Sequence, residues 1–165
     1  MSYKLRTNMK HTITVLVDNK PGVLARVAGL FSARGYNISS LAVSETFDPE
    51  TSCMTIVVQA EDERILEQIK KQLNKLIDVI TVTDFTKKQH VDRQLVLVKI
   101  SYSPKDKTKL EDLVSKYVAK IVQRQGNTAI IEAVDEQPQI KQLLEALKQF
   151  GIKELIRTGK IAMAC

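Results

Sequence analysis

The sequence has 165 residues, of which 44 % are hydrophobic and 27 % are charged, as in ordinary globular proteins. No apolar stretch approaches the roughly 18 residues of a membrane span, and the first residues lack the apolar core of a secretory signal. With only two cysteines, Cys53 and Cys165, we expect no disulfide framework. We therefore expect a soluble, intracellular protein with one ordinary domain or two small ones.

The net charge of +6 lies entirely in the second half. Residues 1–84 contain ten basic and ten acidic residues, whereas residues 85–165 contain fifteen basic and nine acidic ones. A basic half could meet nucleic acid or an acidic protein surface. Its lysines are scattered, however, and no helix-turn-helix, zinc-finger or RNA-recognition signature is present. We predict no nucleic-acid partner and no membrane partner.

The first half has the periodicity of strand, helix, two strands, helix and strand. Alternating β-branched residues indicate strands, and apolar residues spaced by three and four indicate helix faces. Gly35 is expected to end the first helix in a left-handed conformation. The predicted strands are His11–Val17, Asn37–Ser44, Cys53–Val58 and Ile77–Val82, and the helix faces are Val23, Leu24, Val27, Leu30 and Phe31, then Ile65, Leu66, Ile69 and Leu73.

The second half repeats this pattern. Gly126-Asn127 predicts a tight turn between two strands, and Phe150-Gly151 is expected to end the last helix. The predicted strands are Arg93–Ile100, Ala119–Arg124, Thr128–Val134 and one within Glu154–Ala162, and the helix faces are Leu110, Leu113, Val114, Tyr117 and Val118, then Ile140, Leu143, Leu144 and Leu147.

Two βαββαβ units predict an α+β fold with two ferredoxin-like domains, each an antiparallel sheet with helices on one face. We place the domains at residues 1–84 and 85–165, with the linker near residues 84–90. Units of this size bury limited surface, and their edge strands can pair with another copy. Oligomerisation is therefore expected.

Catalytic and metal-binding patterns are missing from the sequence. His11 and His90 stand in no metal-ligand spacing and are expected at the surface or at strand ends. Cys53 falls in an alternating strand, where a thiol acts as a small apolar side chain. Arg157–Lys160 is expected to shape the last strand and its turn and not to bind phosphate. The chain is predicted to have no metal site, no cofactor of its own and no enzymatic activity.

The segments that suggest a function are Asp18–Leu24 and Gly35–Ile38. The first ends a strand and opens a helix, where several N–H groups lack an intrahelical acceptor and can hold a carboxylate. Gly22 lets a ligand or a second backbone approach closely. The amides of Asn19 and Asn37 offer donors and acceptors, which suits a zwitterion that carries a carboxylate and an ammonium group. Spacing alone also allows a simple turn at Pro21-Gly22, with Asn37 merely following a glycine cap.

Several motifs resemble the small subunits of acetolactate synthase. The resemblance includes the Pro-Gly-Val-Leu-x-Arg-Val-x-Gly-Leu-Phe pattern within Asp18–Phe31, followed by Arg34–Ile38. It continues through Met54–Ile56 and Leu66–Val79. In the second half it includes Leu97–Ile100 and Phe150–Lys160, so it spans roughly residues 10–163.

This resemblance implies an N-terminal ACT domain that forms a homodimer with branched-chain amino acid sites between its chains. It also implies a catalytic subunit as partner, carrying thiamine diphosphate, Mg and FAD. The small subunit would raise the partner's activity and confer feedback inhibition, commonly by valine. The family's effector contacts correspond to Asn19, Gly22, Val23 and Leu24 of one chain and to Asn37 and Ile38 of the other.

The sequence leaves the regulated partner and the compartment open. The alternative function is a stand-alone ACT-type amino-acid sensor that regulates another enzyme or a transcription factor. The expected location is the cytoplasm, or the plastid stroma for a plastid-encoded copy.

Overall fold

The computed structural model describes residues 9–60 and 63–165. The chain forms two compact units: the first extends to Val91 and includes Ala162–Cys165, and the second comprises Asp92–Ile161. The predicted domains, 1–84 and 85–165, divide the chain a few residues earlier, and residues 1–8, 61 and 62 lie outside the described residues. The βαββαβ order occurs twice, which confirms the predicted α+β class with two ferredoxin-like folds.

The first unit has an antiparallel sheet in the strand order β2-β3-β1-β4. Its central strands pair in continuous register, with Ile13 opposite Ile56 and Val15 opposite Met54. Alternate residues of a strand point to the same face, so these side chains share the face that the helices cover. The elements are β1 (Met9–Asp18), α1 (Val23–Ala33), β2 (Ile38–Glu45), β3 (Thr51–Ala60), α2 (Glu63–Leu73) and β4 (Val79–Asp84).

One apolar core joins the sheet of the first unit to its two helices. Phe31 of α1 and Ile69 and Leu73 of α2 are completely buried in it, together with Ile13 and Ile56 of the sheet. Burying side chains of this size contributes about 1.5–3 kcal/mol each. Both ends of α1 pack into this core. The position at which the preceding loop enters the helix is therefore fixed.

The second unit repeats the arrangement, with a sheet in the order β6-β7-β5-β8 and β9 pairing with β5 outside that order. Ile100, Leu110, Ile131, Ile140 and Leu147 are fully buried in its core. The elements that follow β4 are β5 (His90–Ser101), α3 (Lys107–Ser115), β6 (Ala119–Gln125), β7 (Thr128–Asp135), α4 (Gln137–Leu147), β8 (Ile152–Arg157) and β9 (Ile161–Ala164), of which most of β9 belongs to the first unit.

The predicted start of β4 at Ile77 is wrong. Turn hydrogen bonds continue beyond α2, from Leu76 N–H to the Leu73 carbonyl and from Val79 N–H to the Leu76 carbonyl. They keep Ile77 out of the ladder with 96 % of its surface exposed, so β4 begins at Val79. Ile77 is β-branched and apolar, which predicts a strand, and this turn carries no glycine or proline that would indicate otherwise.

Two predictions in the second unit also need correction. Helix α3 ends at Ser115, so Tyr117 and Val118 follow it in a turn, and Val118 is 70 % exposed. The last strand is two strands, interrupted at Thr158–Lys160. At that break the Thr158 hydroxyl accepts from Leu95 N–H at 2.9 Å, which supports the conformational role expected for this segment.

Candidate functional site

The loop between β1 and α1 is a tight turn that delivers the chain into the helix. Lys20 N–H donates to the Asp18 carbonyl at 3.0 Å, and Val23 N–H donates to the Lys20 carbonyl at 3.3 Å. Gly22 occupies the N-cap position with φ +83°, a left-handed conformation that favours glycine. The first helical hydrogen bond follows, from Arg26 N–H to the Gly22 carbonyl at 3.0 Å.

The N terminus of α1 presents backbone donors without side-chain caps. Gly22 has no side-chain oxygen to accept from the first turn, and no cap hydrogen bond is formed there. Among the described residues, no backbone acceptor pairs with the N–H groups of Gly22, Leu24 or Ala25. These donors and the helix dipole together favour an anion at this position.

Asn19 uses its side-chain amide within the protein. Its Nδ2 donates to Glu45 Oε1 at 3.1 Å and to the Pro49 carbonyl at 2.8 Å. Its backbone N–H donates to the Glu50 carbonyl at 2.7 Å. Both amide hydrogens are therefore occupied, and the side chain presents to a ligand only its Oδ1 acceptor.

A cavity of about 360 Å³ lies between this loop and the β2–β3 turn. Lys20 and Asp18 form an ion pair at its wall, with the ammonium 2.7 Å from Asp18 Oδ2. The hydrogen bond to Asp18 and its negative charge raise the pKa of Lys20. The lining is polar and consists of Asp18, Asn19, Lys20, Asp48, Pro49, Glu50 and Thr51.

Val23 and Leu24 differ in what they offer a ligand. The Val23 side chain is 2 % exposed and belongs to the core, and its N–H already bonds to Lys20. Leu24, predicted to share the buried helix face, is instead 43 % exposed. Of the two side chains, only that of Leu24 is accessible for apolar contact.

Asn37 and Ile38 lie at the opposite end of α1 from Gly22. The helix has 11 residues, and at 1.5 Å per residue it separates these ends by roughly 16 Å. The Asn37 carbonyl accepts from Gln59 N–H at 3.2 Å, and Ile38 opposes Val58 in the ladder and packs against the core. One chain thus does not bring Asn37 and Ile38 to the Asn19–Leu24 loop, and a site that uses both needs a second copy.

Sequence reasoning missed the ion pair between Arg26 and Asp78. Arg26 Nε and NH2 each lie 2.8 Å from Asp78 Oδ2. The Asp78 side chain is only 11 % exposed, whereas that of Arg26 is 49 % exposed. The Asp78 carbonyl also accepts from Asp18 N–H at 2.9 Å. A buried carboxylate needs a cationic partner, but sequence spacing alone does not identify Arg26.

His11 is not at the surface, which corrects the prediction for it. It lies within β1 and is 2 % exposed, with Nδ1 3.0 Å from Thr86 Oγ1. Because the Thr86 hydroxyl donates to Asp84 Oδ1 at 2.6 Å, it accepts the proton of His11 Nδ1. Nε2 is buried and has no hydrogen-bond partner among the described residues.

The described residues show neither a metal-binding cluster nor a membrane-spanning helix. No group of three or more histidine, cysteine, aspartate or glutamate side chains is placed to hold a metal ion there. No helix among the same residues has the length and apolarity to cross a membrane.

The comparisons with known proteins agree over both halves of the chain. A family model described as the small-subunit-like ACT domain of AHAS matches residues 13–81. A second, described as the small subunit of acetolactate synthase, matches residues 93–165.

Individual relatives give the same result. The chain is 46 % identical to a probable acetolactate synthase small subunit of Archaeoglobus fulgidus, over 94 % of this chain and 96 % of that protein. It is 41 % identical to the acetolactate synthase small subunit of Bacillus subtilis, over 94 % and 91 %. The crystal structure of the acetolactate synthase small subunit from Thermotoga maritima superposes with a TM-score of 0.86 at 36 % identity, covering 95 % and 98 %. The chain therefore belongs to the family of acetolactate synthase small subunits.

Proposed function

We propose that this chain binds a branched-chain amino acid, most favourably valine, between the N-terminal units of two copies and confers feedback inhibition on acetolactate synthase. Family membership supports the regulatory role and a catalytic subunit as partner. Our proposal goes beyond family membership in three respects, which are the effector, the dimer and the activation of the partner. The alternative, a stand-alone sensor for another protein, leaves the match of residues 93–165 without an explanation.

The observation that carries this proposal is the uncapped N terminus of α1. The N–H groups of Gly22 and Leu24 lack backbone acceptors among the described residues, and a carboxylate would satisfy them. Asn19 Oδ1 would accept from the effector ammonium because its own amide hydrogens are occupied. The exposed Leu24 side chain would contact the branched aliphatic group.

The second copy would supply Asn37 and Ile38. They lie at the far end of α1 in the same chain, so the residues of one complete site would come from two chains. A ligand that binds only this assembled form stabilises the dimer by mass action. The effector would alter enzyme activity only by preferring one arrangement of the regulatory dimer.

The catalytic subunit would carry the chemistry in this scheme. We assign thiamine diphosphate, Mg and FAD to that subunit, and the small subunit would act by binding to it. A coupling free energy of about 1–3 kcal/mol between effector and catalytic subunit is usual for such regulation and corresponds to roughly 5–150-fold changes in affinity.

Calorimetric titration of L-valine into the purified chain tests the proposed effector, with leucine and isoleucine compared under the same conditions. We expect saturable binding of valine and its loss in Asn37→Ala. A matched control is Asn127→Ala, at an exposed turn of the second unit, which should bind valine like the wild type. Absence of binding by all three amino acids would overturn the effector assignment. Unchanged binding in Asn37→Ala would overturn the two-chain site.

A further inference from the structure

We propose that Arg26, held in place by Asp78, is a specificity-determining residue of the effector site that recognises the effector carboxylate. This inference rests on the proposed function and adds to it a contact made by a cationic side chain. It starts from the position of one guanidinium group between a buried carboxylate and the Gly22 turn.

The ion pair uses only one edge of the Arg26 guanidinium. Nε and NH2 both contact Asp78 Oδ2 at 2.8 Å. An arginine has five N–H donors, so three hydrogens are left. NH1 has no hydrogen-bond partner among the described residues, and half of the side chain is exposed.

The unoccupied edge lies against Gly22. A β-carbon added to Gly22 would be 3.0 Å from Arg26 NH1. This follows from helix geometry, because side chains lean toward the N terminus and a residue covers the turn that precedes it. NH1 therefore stands beside the backbone donors that lack acceptors. A carboxylate placed on those donors would also meet the guanidinium, whose planar fork matches carboxylate geometry.

Asp78 fixes this arrangement from another element. It lies in the turn that precedes β4, and its carbonyl accepts from Asp18 N–H at 2.9 Å, just before the Asn19–Gly22 turn. The same residue thus contacts the start of the loop through its backbone and Arg26 through its carboxylate. Pre-ordering of the guanidinium lowers the entropy lost when a ligand binds.

Lys20 is the competing cation near this loop. Its ammonium lies 2.7 Å from Asp18 Oδ2, and its side chain is 65 % exposed. A flexible and well-solvated ammonium that is already paired contributes little to ligand recognition. Arg26 is the better candidate because the buried Asp78 holds it next to Gly22.

The experiment compares L-valine with L-valinamide, which keeps the ammonium and the side chain but lacks the carboxylate. Affinities are measured by NMR titration of the full chain at up to millimolar ligand, for wild type and for Arg26→Gln. We expect Arg26→Gln to weaken valine binding about tenfold or more, the usual effect of one hydrogen bond to a charged group. The affinity of Arg26→Gln for valinamide should equal that of the wild type. The ratio of valine affinity to valinamide affinity should therefore be smaller in Arg26→Gln than in the wild type.

Three further variants make the result specific. Lys20→Gln removes the cation of the loop and Lys153→Gln removes an exposed cation of β8 in the second unit, and both should keep the wild-type ratio. Arg26→Gln leaves a buried carboxylate without its partner and could unfold the protein, so Arg26→Gln/Asp78→Asn removes both charges and should give the same shrunken ratio. Folding of every variant is verified by circular dichroism.

If both Arg26 variants lost affinity for valine and for valinamide equally, Arg26 would only shape the loop. That result would overturn this inference and leave the proposed function intact. A valine affinity that is unchanged in the Arg26 variants would also overturn this inference. If the wild type bound no branched-chain amino acid, the proposed function would fail first and this inference with it.

Discussion

Asn19 and Pro49 are joined by a hydrogen bond of 2.8 Å from the Asn19 amide to the Pro49 carbonyl. The same amide donates to Glu45 Oε1 at 3.1 Å. The loop before α1 is therefore tied to the β2–β3 turn, although the two segments are about 30 residues apart in sequence. This tie fixes the orientation of the Asn19 amide.

Asn19→Asp should separate the loop from the β2–β3 turn. Aspartate has the same shape but loses both donors and places a negative charge beside Glu45. Because the bonds are exposed, we expect the free energy of unfolding in urea to fall by about 1 kcal/mol. Valine binding should survive, since an acceptor for the ammonium is retained.

Asn127→Asp is the matched control for this change. It makes the same charge change in the exposed turn between β6 and β7, where the Asn127 carbonyl accepts from Tyr102 N–H. Its unfolding free energy should stay close to that of the wild type. Equal stability of Asn19→Asp and wild type would show that the tie contributes nothing.

Gly22 and Gly29 should respond oppositely to alanine. Gly22 has φ +83°, and a β-carbon there would meet Arg26 NH1 at 3.0 Å, so Gly22→Ala should cost about 1–2 kcal/mol. Gly29 lies inside α1 with nothing within 4 Å of such a carbon. Gly29→Ala should stabilise the protein by about 0.5–1 kcal/mol through helix propensity. Urea unfolding measures both, and changes of the same sign would contradict this account of the turn.

Asp84 should make the first unit sensitive to acid. Burial acts to raise the pKa of this carboxyl, but hydrogen bonds from Thr86 and the charge of Lys70 outweigh it and lower the pKa below 3.8. A group with a depressed folded-state pKa stabilises the fold above its unfolded pKa and loses that contribution as pH falls through the folded value. Stability should therefore decline as pH falls below about 4.

Urea unfolding at a series of pH values between about 2 and 6 measures this contribution. Asp84→Asn should lose less stability on acidification than the wild type does. Asp112→Asn, at an exposed position of α3, should follow the wild-type curve. If Asp84→Asn also followed it, Asp84 would not be the group responsible.

The two thiols should differ in reactivity. Cys53 is half-buried in β3, and burial raises the pKa of its thiol, whereas Cys165 is exposed. Maleimide reacts with the thiolate, so at neutral pH Cys165 should be labelled first. Mass spectrometry of Cys53→Ser and Cys165→Ser gives the two rates, and faster labelling of Cys53 would contradict the burial described for β3.

The repeated fold was predictable because its signals are local. Alternation in Ile13–Val17, the apolar spacing of α1 and the left-handed Gly35 at its end, with φ +69°, each act within a few residues. The Asn19–Leu24 loop was found for the same reason. Asn19's fixed orientation and the Arg26–Asp78 pair were not, because they join segments tens of residues apart and depend on tertiary packing.

His11 and Ile77 show the opposite failure, in which a residue's type misleads. The sequence predicts His11 at the surface or at a strand end, but β1 lies inside the sheet and buries it. Ile77 has high strand propensity but sits on an exposed turn. Position in the fold outweighed intrinsic preference in both cases.

The most direct test of the central claim is the rate of acetolactate formation by the catalytic subunit of the same organism, measured with and without this chain and at increasing valine concentration. We predict that the chain raises the rate and that valine lowers it again, with both Asn37→Ala and Gly22→Asp resistant to valine. A rate that the chain leaves unchanged at every valine concentration would contradict the account.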